Sequence, residues 1–166
     1  STALIGCTIG PRPHLFSVGM WENPGDPRWR VPRGEVDVAV ARAFDQYDVV
    51  ELAADPWGWR SEIQSWSDAY PGLVTEYPTN VLHRMGPATD EVYQAIVKGE
   101  VTHDGNADLV SHFGNAVAKV TPHGDIVTKA SKDSPRKIDA AVAAIVAHSR
   151  AMHHGRKKTG RRVVAW

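Results

Sequence analysis

Apolar positions in the first third of this chain switch from strand-like runs to helical spacing and back, which predicts a mixed α/β order. Residues 2–9 (TALIGCTI) and 15–21 (LFSVGMW) are apolar and β-prone, and they flank the turn-forming Gly10-Pro11-Arg12-Pro13. Together they predict an antiparallel hairpin. Across 34–46, Val36, Val40, Ala43 and Phe44 recur at helical spacing shortly after Pro32, a residue suited to a helix start. Val49, Val50, Leu52, Ala53 and Ala54 then make a short apolar run of the kind buried on both faces of a sheet, and Pro56 and Gly58 end it. That leaves Asp55 at the strand's carboxyl end.

Helical spacing returns over 58–70, where Trp59, Ile63 and Trp66 predict a helix packing an aromatic face on the sheet rather than a stacking platform for bases. Residues 73–77 (LVTEY) read as a strand, and 87–98 as a helix with Ala88, Val92, Ala95 and Ile96 inward and Gly99 at its end. Asn106 or Asp108 can start a further helix carrying Leu109, Val110, Phe113 and Val117, with His112 and Asn115 on its more polar side. Residues 120–129 (VTPHGDIVTK) predict a hairpin tip that turns at His123-Gly124-Asp125. Ser134-Pro135 opens a last helix, from Arg136 to about Met152, with Ile138, Val142, Ile145 and Val146 as its apolar stripe. Beyond it no apolar period is long enough for an element. The expected organisation is one domain over 1–151 and a basic tail over 152–166, flexible unless bound.

Charge changes this picture. The net charge is zero, yet from Lys129 onward ten Lys or Arg face only Asp133 and Asp139, so that end carries +8 and the rest −8. A basic end on an acidic domain suits either a polyanion such as nucleic acid or plain solvation. The lone Cys7 excludes an internal disulfide and fits a reducing compartment. No apolar run approaches membrane-spanning length, and no signal-peptide pattern opens the chain. Because it opens at Ser1 without an initiator Met, it is expected to be a fragment or a processed product.

Two acids stand out. Ligands gather at the carboxyl ends of strands in open α/β sheets, so Asp55 is placed where a metal or substrate reaches it; an Asx turn before Pro56, or a cap on the next helix, accounts for it equally. Asp139 precedes Val142, Ala143 and Val146 by three, four and seven residues, at the edge of the sheet-facing stripe. A carboxylate there is costly without a partner or a metal, whereas an exposed first-turn acid would be favoured by the helix dipole. His103 and His112 match no zinc spacing, and hydrogen-bonding or solvent-facing roles suit them better. Mg²⁺ and Mn²⁺ prefer hard carboxylate oxygens, and two such ions about 4 Å apart can clamp the attacking water and the leaving oxygen of a phosphodiester.

Five motifs occur in order: W-E-x-P (21–24), W-R-V-P-R (29–33), A-D-P-W-G-W (54–59), T-H-D-G-N-x-x-L-x-x-H-x-x-N-A (102–116) and R-K-I-D-A-A-V-A (136–143). In this series the chain resembles the C-terminal nuclease domain of the large terminase subunit of tailed bacteriophages. The resemblance implies a ribonuclease-H-like fold, a mixed central sheet flanked by helices, and a metal-dependent endonuclease that cuts concatemeric phage DNA. It implies two ions, Mg²⁺ or Mn²⁺, with Asp55 and Asp139 as catalytic metal ligands, and it places the family's remaining acid on a first strand upstream of Ser1. That strand is expected to be missing from this chain. An alternative is a catalytically incomplete module that binds DNA or the portal. Lys129, Lys132, Arg136 and Lys137 are the phosphate-contact candidates for double-stranded DNA. Portal protein and small terminase subunit are the implied partners, at the procapsid portal in the host cytoplasm, with no membrane involved. No G-x-x-x-x-G-K-[ST] loop of a motor domain occurs in the sequence.

Overall fold

The alternating pattern folds as it reads. The structure, a computed structural model, describes residues 1–131 and 134–160. Strands β1 (Thr2–Cys7) and β2 (His14–Trp21) pair antiparallel, with a register shift between Leu4 and Ile5. Helix α1 (Arg33–Gln46) precedes β3 (Leu52–Ala54), and α2 (Arg60–Ala69) leads into β4 (Val74–Glu76), which runs parallel to β3. Then follow α3 (Leu82–Val97), β5 (Thr102–His103), α4 (Ala107–Asn115), the antiparallel pair β6 (Val117–Lys119) and β7 (Ile126–Thr128), and α5 (Asp139–Gly160). With β5 added parallel to β2, the sheet β1-β2-β5 is mixed.

Helix α5 is the spine. It lies along β1, touches β2 and β3, and takes α3 and α4 against its flanks. Close approach is possible because its inner face begins in small residues: Ala140, Ala141 and Ala144 are fully buried, as is Ile145. Two of the three cores form on this helix, one where Ala140 and Ala144 meet Ile5, Leu15 and Leu109, the other where Ile145 and Val146 meet Met85, Val92 and Tyr77. The third holds Val36, Val40, Ile63 and Trp66 between α1 and α2, so Trp66 and its neighbour Trp59 pack as the spacing predicts. Among the described residues, no helix is long and apolar enough to cross a membrane.

Five local expectations change. Helix α3 starts at Leu82 and carries Pro87 inside it; there the residue donates no hydrogen bond to the preceding turn. Gly86 sits in the same turn with His123 at its back: an added Cβ would lie 2.0 Å from the His123 carbonyl oxygen, so the β6–β7 turn docks only on a glycine. Helix α4 stops at Asn115, and Val117 belongs to β6 rather than to the helix. The two-residue β5 is too short to show periodicity and was not expected. Helix α5 begins at Asp139, three residues later than expected, and runs to Gly160 across the stretch expected to be a tail. Polar anchors hold that extension where an apolar stripe does not: His154 bonds Glu51, and Arg156 pairs with Glu91 at 2.8 Å. Lys132 lies outside the described residues.

In place of the single central sheet expected, β1-β2-β5 and β3-β4 are separate sheets among the described residues. Within their sheets β1 pairs only with β2, and β3 only with β4, so each leaves one edge unpaired among the described strands. Both strands line one cavity of about 1020 Å³, whose wall on another side is α5.

Candidate metal centre

Strand β3 ends where Pro56 follows Asp55, and the chain turns sharply through Gly58 at φ +77°. The turn is the Asx turn that the sequence allows: Trp57 N–H donates to Asp55 Oδ1 at 2.9 Å. The other carboxylate oxygen faces β4. There Tyr77 N–H continues the pairing onto the Ala54 carbonyl at 2.8 Å, which carries Thr79 past the strand end. Thr79 N–H donates to Asp55 Oδ2 at 3.2 Å, and the Thr79 hydroxyl donates to the same oxygen. Turn and site are therefore one arrangement: the local hydrogen bonds orient the carboxylate without neutralising it.

Asp139 is the first residue of α5 and half-buried. The Ser1 hydroxyl donates to its Oδ2. Behind it, the backbone N–H of Ala140 donates to His112 Nδ1 at 2.9 Å. A nitrogen that accepts an amide proton carries none, so the His112 proton sits on Nε2, 2.5 Å from Glu22 Oε1. Asn115 Nδ2 donates to the Lys137 carbonyl at 3.0 Å, closing the other side of the helix entrance. His112 thus caps α5 from α4, Asn115 tethers Lys137 just ahead of the helix, and together they fix the direction in which Asp139 leaves the backbone. His112 is 3% exposed. This corrects its expected place on a polar face, because the Leu109–His112 spacing of three puts both on the inward side. His103, by contrast, is exposed and accepts from Gly105 N–H.

The structure brings both sequence-predicted acids to the same cavity. Neither makes an ion pair among the described residues. Within that same set, no group of three or more His, Cys, Asp or Glu is placed to hold a metal ion. Two carboxylates oriented by neutral hydroxyls and lacking a cation are a donor set of the kind Mg²⁺ uses, since that ion commonly takes one or two carboxylates and completes its shell with water and phosphate. In donor chemistry each of the two residues suits such an ion.

At the opposite end of β3, Glu51 lines the same cavity but is held differently. Its side chain is 6% exposed; Arg150 Nε lies 3.0 Å from both carboxylate oxygens and His154 Nε2 2.6 Å from one. Burial pushes this carboxyl up, and the hydrogen bonds from Arg150 and His154 outweigh it, leaving the group below the usual carboxylate range.

The three described basic candidates are not among the residues that line the cavity. Lys129 follows β7 half-buried, Arg136 is exposed, and Lys137 is half-buried on the approach to α5; none of the three forms an ion pair among the described residues. The sequence reading did not single out Thr79 or Arg33. Arg33 pairs with Glu62, lies 4.7 Å over the Trp59 ring and donates to the Gly58 carbonyl at 2.6 Å. Its place in W-R-V-P-R was the available signal; Thr79 offered none.

Comparison with known proteins adds the family. The model described as "Terminase large subunit, endonuclease domain" matches residues 33–155. The Gene 13 protein of Mycobacterium phage D29 is 36% identical over 177 residues, covering 99% of this chain and 29% of that protein. The Gene 13 protein of Mycobacterium phage L5 is 35% identical over 157 residues, covering 88% and 26%. Protein YmfN of Escherichia coli K12 is 35% identical over 114 residues, covering 67% and 24%. The chain thus spans under a third of the length of these curated relatives. In fold it is similar to the large terminase nuclease of thermophilic phage G20c, with a TM-score of 0.58 at 13% identity over 90% of this chain and 82% of that one.

Proposed function

Because the chain belongs to the family of terminase large-subunit endonuclease domains, we propose that it is a metal-dependent DNA endonuclease that cuts concatemeric phage DNA during genome packaging. The observation that carries this reading is the pair Asp55 and Asp139, remote in sequence, lining one cavity, and left without a cationic partner among the described residues. Bound Mg²⁺ or Mn²⁺, two ions in the full site, would supply Lewis-acid stabilisation and an activated water. Asp55 and Asp139 would hold the metal. Thr79 and the Trp57 amide keep the Asp55 carboxylate turned toward it, and the His112 cap does the same for Asp139 through the backbone. Lys129, Lys132, Arg136 and Lys137 are proposed to contact phosphates, supplying affinity that is indifferent to base sequence. Portal protein and the small terminase subunit are the proposed partners, and the procapsid portal in the host cytoplasm the proposed place of action.

A ribonuclease-H-like arrangement accounts for the split sheet. A strand lying between β1 and β3 would pair on both sides, join the two sheets, and bring its own acid toward Asp55; the family resemblance puts the remaining ligand on a first strand upstream of Ser1. A second reading, a DNA- or portal-binding module that does not cut, is favoured by the absence of a third acid beside the pair among the described residues.

Plasmid nicking in Mn²⁺ separates the two. Nicking that EDTA and Asp139→Asn both abolish supports the endonuclease. Salt-dependent DNA binding without nicking, unaltered by Mn²⁺ or by Asp55→Asn, supports the binding module.

A further inference from the structure

Trp57 is 87% exposed, while Trp66 is buried and Trp59 stacks on it with ring centroids 6.0 Å apart. An isolated surface Leu needs no explanation, but an indole with this much apolar area held in water does. The backbone beneath it is fixed at several points. Trp57 N–H is bound to Asp55 Oδ1, the Gly58 carbonyl accepts from Arg33, and Trp59 N–H donates to the Pro56 carbonyl at 3.2 Å. No aromatic or cationic group among the described residues stacks on the Trp57 ring. The turn is therefore built to present the indole, and it presents it at the rim of the cavity that holds both acids.

We propose that Trp57 packs against the base and deoxyribose faces of the DNA strand whose phosphate reaches Asp55. The inference rests on the endonuclease reading and adds a contact to it. Distance favours DNA as the occupant: two residues of chain span at most about 7 Å, and successive nucleotides of one strand are spaced about 3.4 Å along a duplex. A phosphate at Asp55 therefore puts its own sugar, or the next one, within reach of the ring. In a duplex the sugar face is open and a base face becomes so where the inserted ring unstacks a step, so the contact positions the strand without reading its sequence.

The test is the affinity of a fluorescein-labelled 30-base-pair duplex for the chain, by anisotropy over a range of salt in Ca²⁺, a hard cation that carboxylate oxygens hold. Trp57→Ala is expected to weaken binding by about tenfold, within the range for loss of one stacked aromatic, while Trp57→Phe restores most of it. The salt slope should not change, because no charge is removed, and the melting temperature of the Ala variant should stay with that of the unsubstituted chain. Equal affinity of the Ala variant and the unsubstituted chain would overturn this inference alone. Failure of the unsubstituted chain to bind duplex at all would overturn this inference, while the endonuclease reading stands or falls separately by the plasmid assay.

Discussion

The two ends of β3 carry an acid each, and the chain treats them oppositely. Glu51, before the strand, is closed in by Arg150 and His154 from the last helix, so its charge is answered within the fold. Asp55, after the strand, receives three hydrogen bonds from neutral donors and no cation among the described residues. Both line the same cavity, so burial alone does not distinguish them. What does is the source of the compensating charge: an acid paired by its own chain pins α5 to the sheet, whereas an acid held in place but left unpaired is free to receive a cation from outside. Asp139 belongs with Asp55 by this criterion, with Ser1 in the role of Thr79.

Substitutions at the two ends should therefore fail in different ways. The largest effect is expected on cleavage: Asp55→Asn or Asp139→Asn should lower the nicking rate about 100-fold or more, since a bound metal contributes several kcal/mol of transition-state stabilisation. Melting temperature should change little, which a plasmid assay run beside a thermal melt would show. Glu51→Ala should reverse the pattern. Removing one partner of this part-buried pair leaves Arg150 without its carboxylate and costs about 1–3 kcal/mol, read as a reduced urea midpoint, with Mn²⁺ affinity retained in the folded fraction. His112→Leu strips the acceptor from Ala140 N–H and the partner from Glu22, for about 1–3 kcal/mol. His112→Asn, whose amide oxygen can replace Nδ1, should recover part of that loss. Thr79→Val should lower Mn²⁺ affinity about tenfold, the low end for losing a group that orients a metal ligand.

The smallest and most gradual effect is with pH. Burial holds His148 neutral and below its ordinary value of 6.5, although Glu91 pulls it upward. Its contribution is complete above pH 6.5 and is lost as pH falls from there toward the lowered folded value, because the unfolded chain takes up the proton first. Glu51 behaves likewise lower down: its stabilisation is full above the ordinary 4.5 and disappears as pH falls through its depressed value. Urea titrations between pH 7.5 and 4 should show stability declining from about 6.5, and His148→Leu should flatten that first part of the slope.

Residues whose role is local were legible before the fold was. Asp55 could be placed at a strand end because the apolar run, Pro56 and Gly58 all lie within ten residues of it, and the Asx turn was equally readable. Asp139 could be placed near a helix start from the stripe that follows it, though its helix opens at the acid itself rather than at Arg136. What surrounds each acid was not readable, because Thr79, Ser1 and His112 meet them only through tertiary contacts. The same limit hid β5, two residues recruited by β2, and the extension of α5, which polar partners just before β3 and on α3 hold in place of an apolar period.

The most direct test of the central claim is Mn²⁺ titration of the chain followed by electron paramagnetic resonance, with Asp55→Asn, Asp139→Asn and Glu51→Gln in parallel. The account predicts that each Asp substitution weakens Mn²⁺ binding at least about tenfold and that Glu51→Gln leaves it unchanged. Equal binding by the Asp variants and the unsubstituted chain would contradict it.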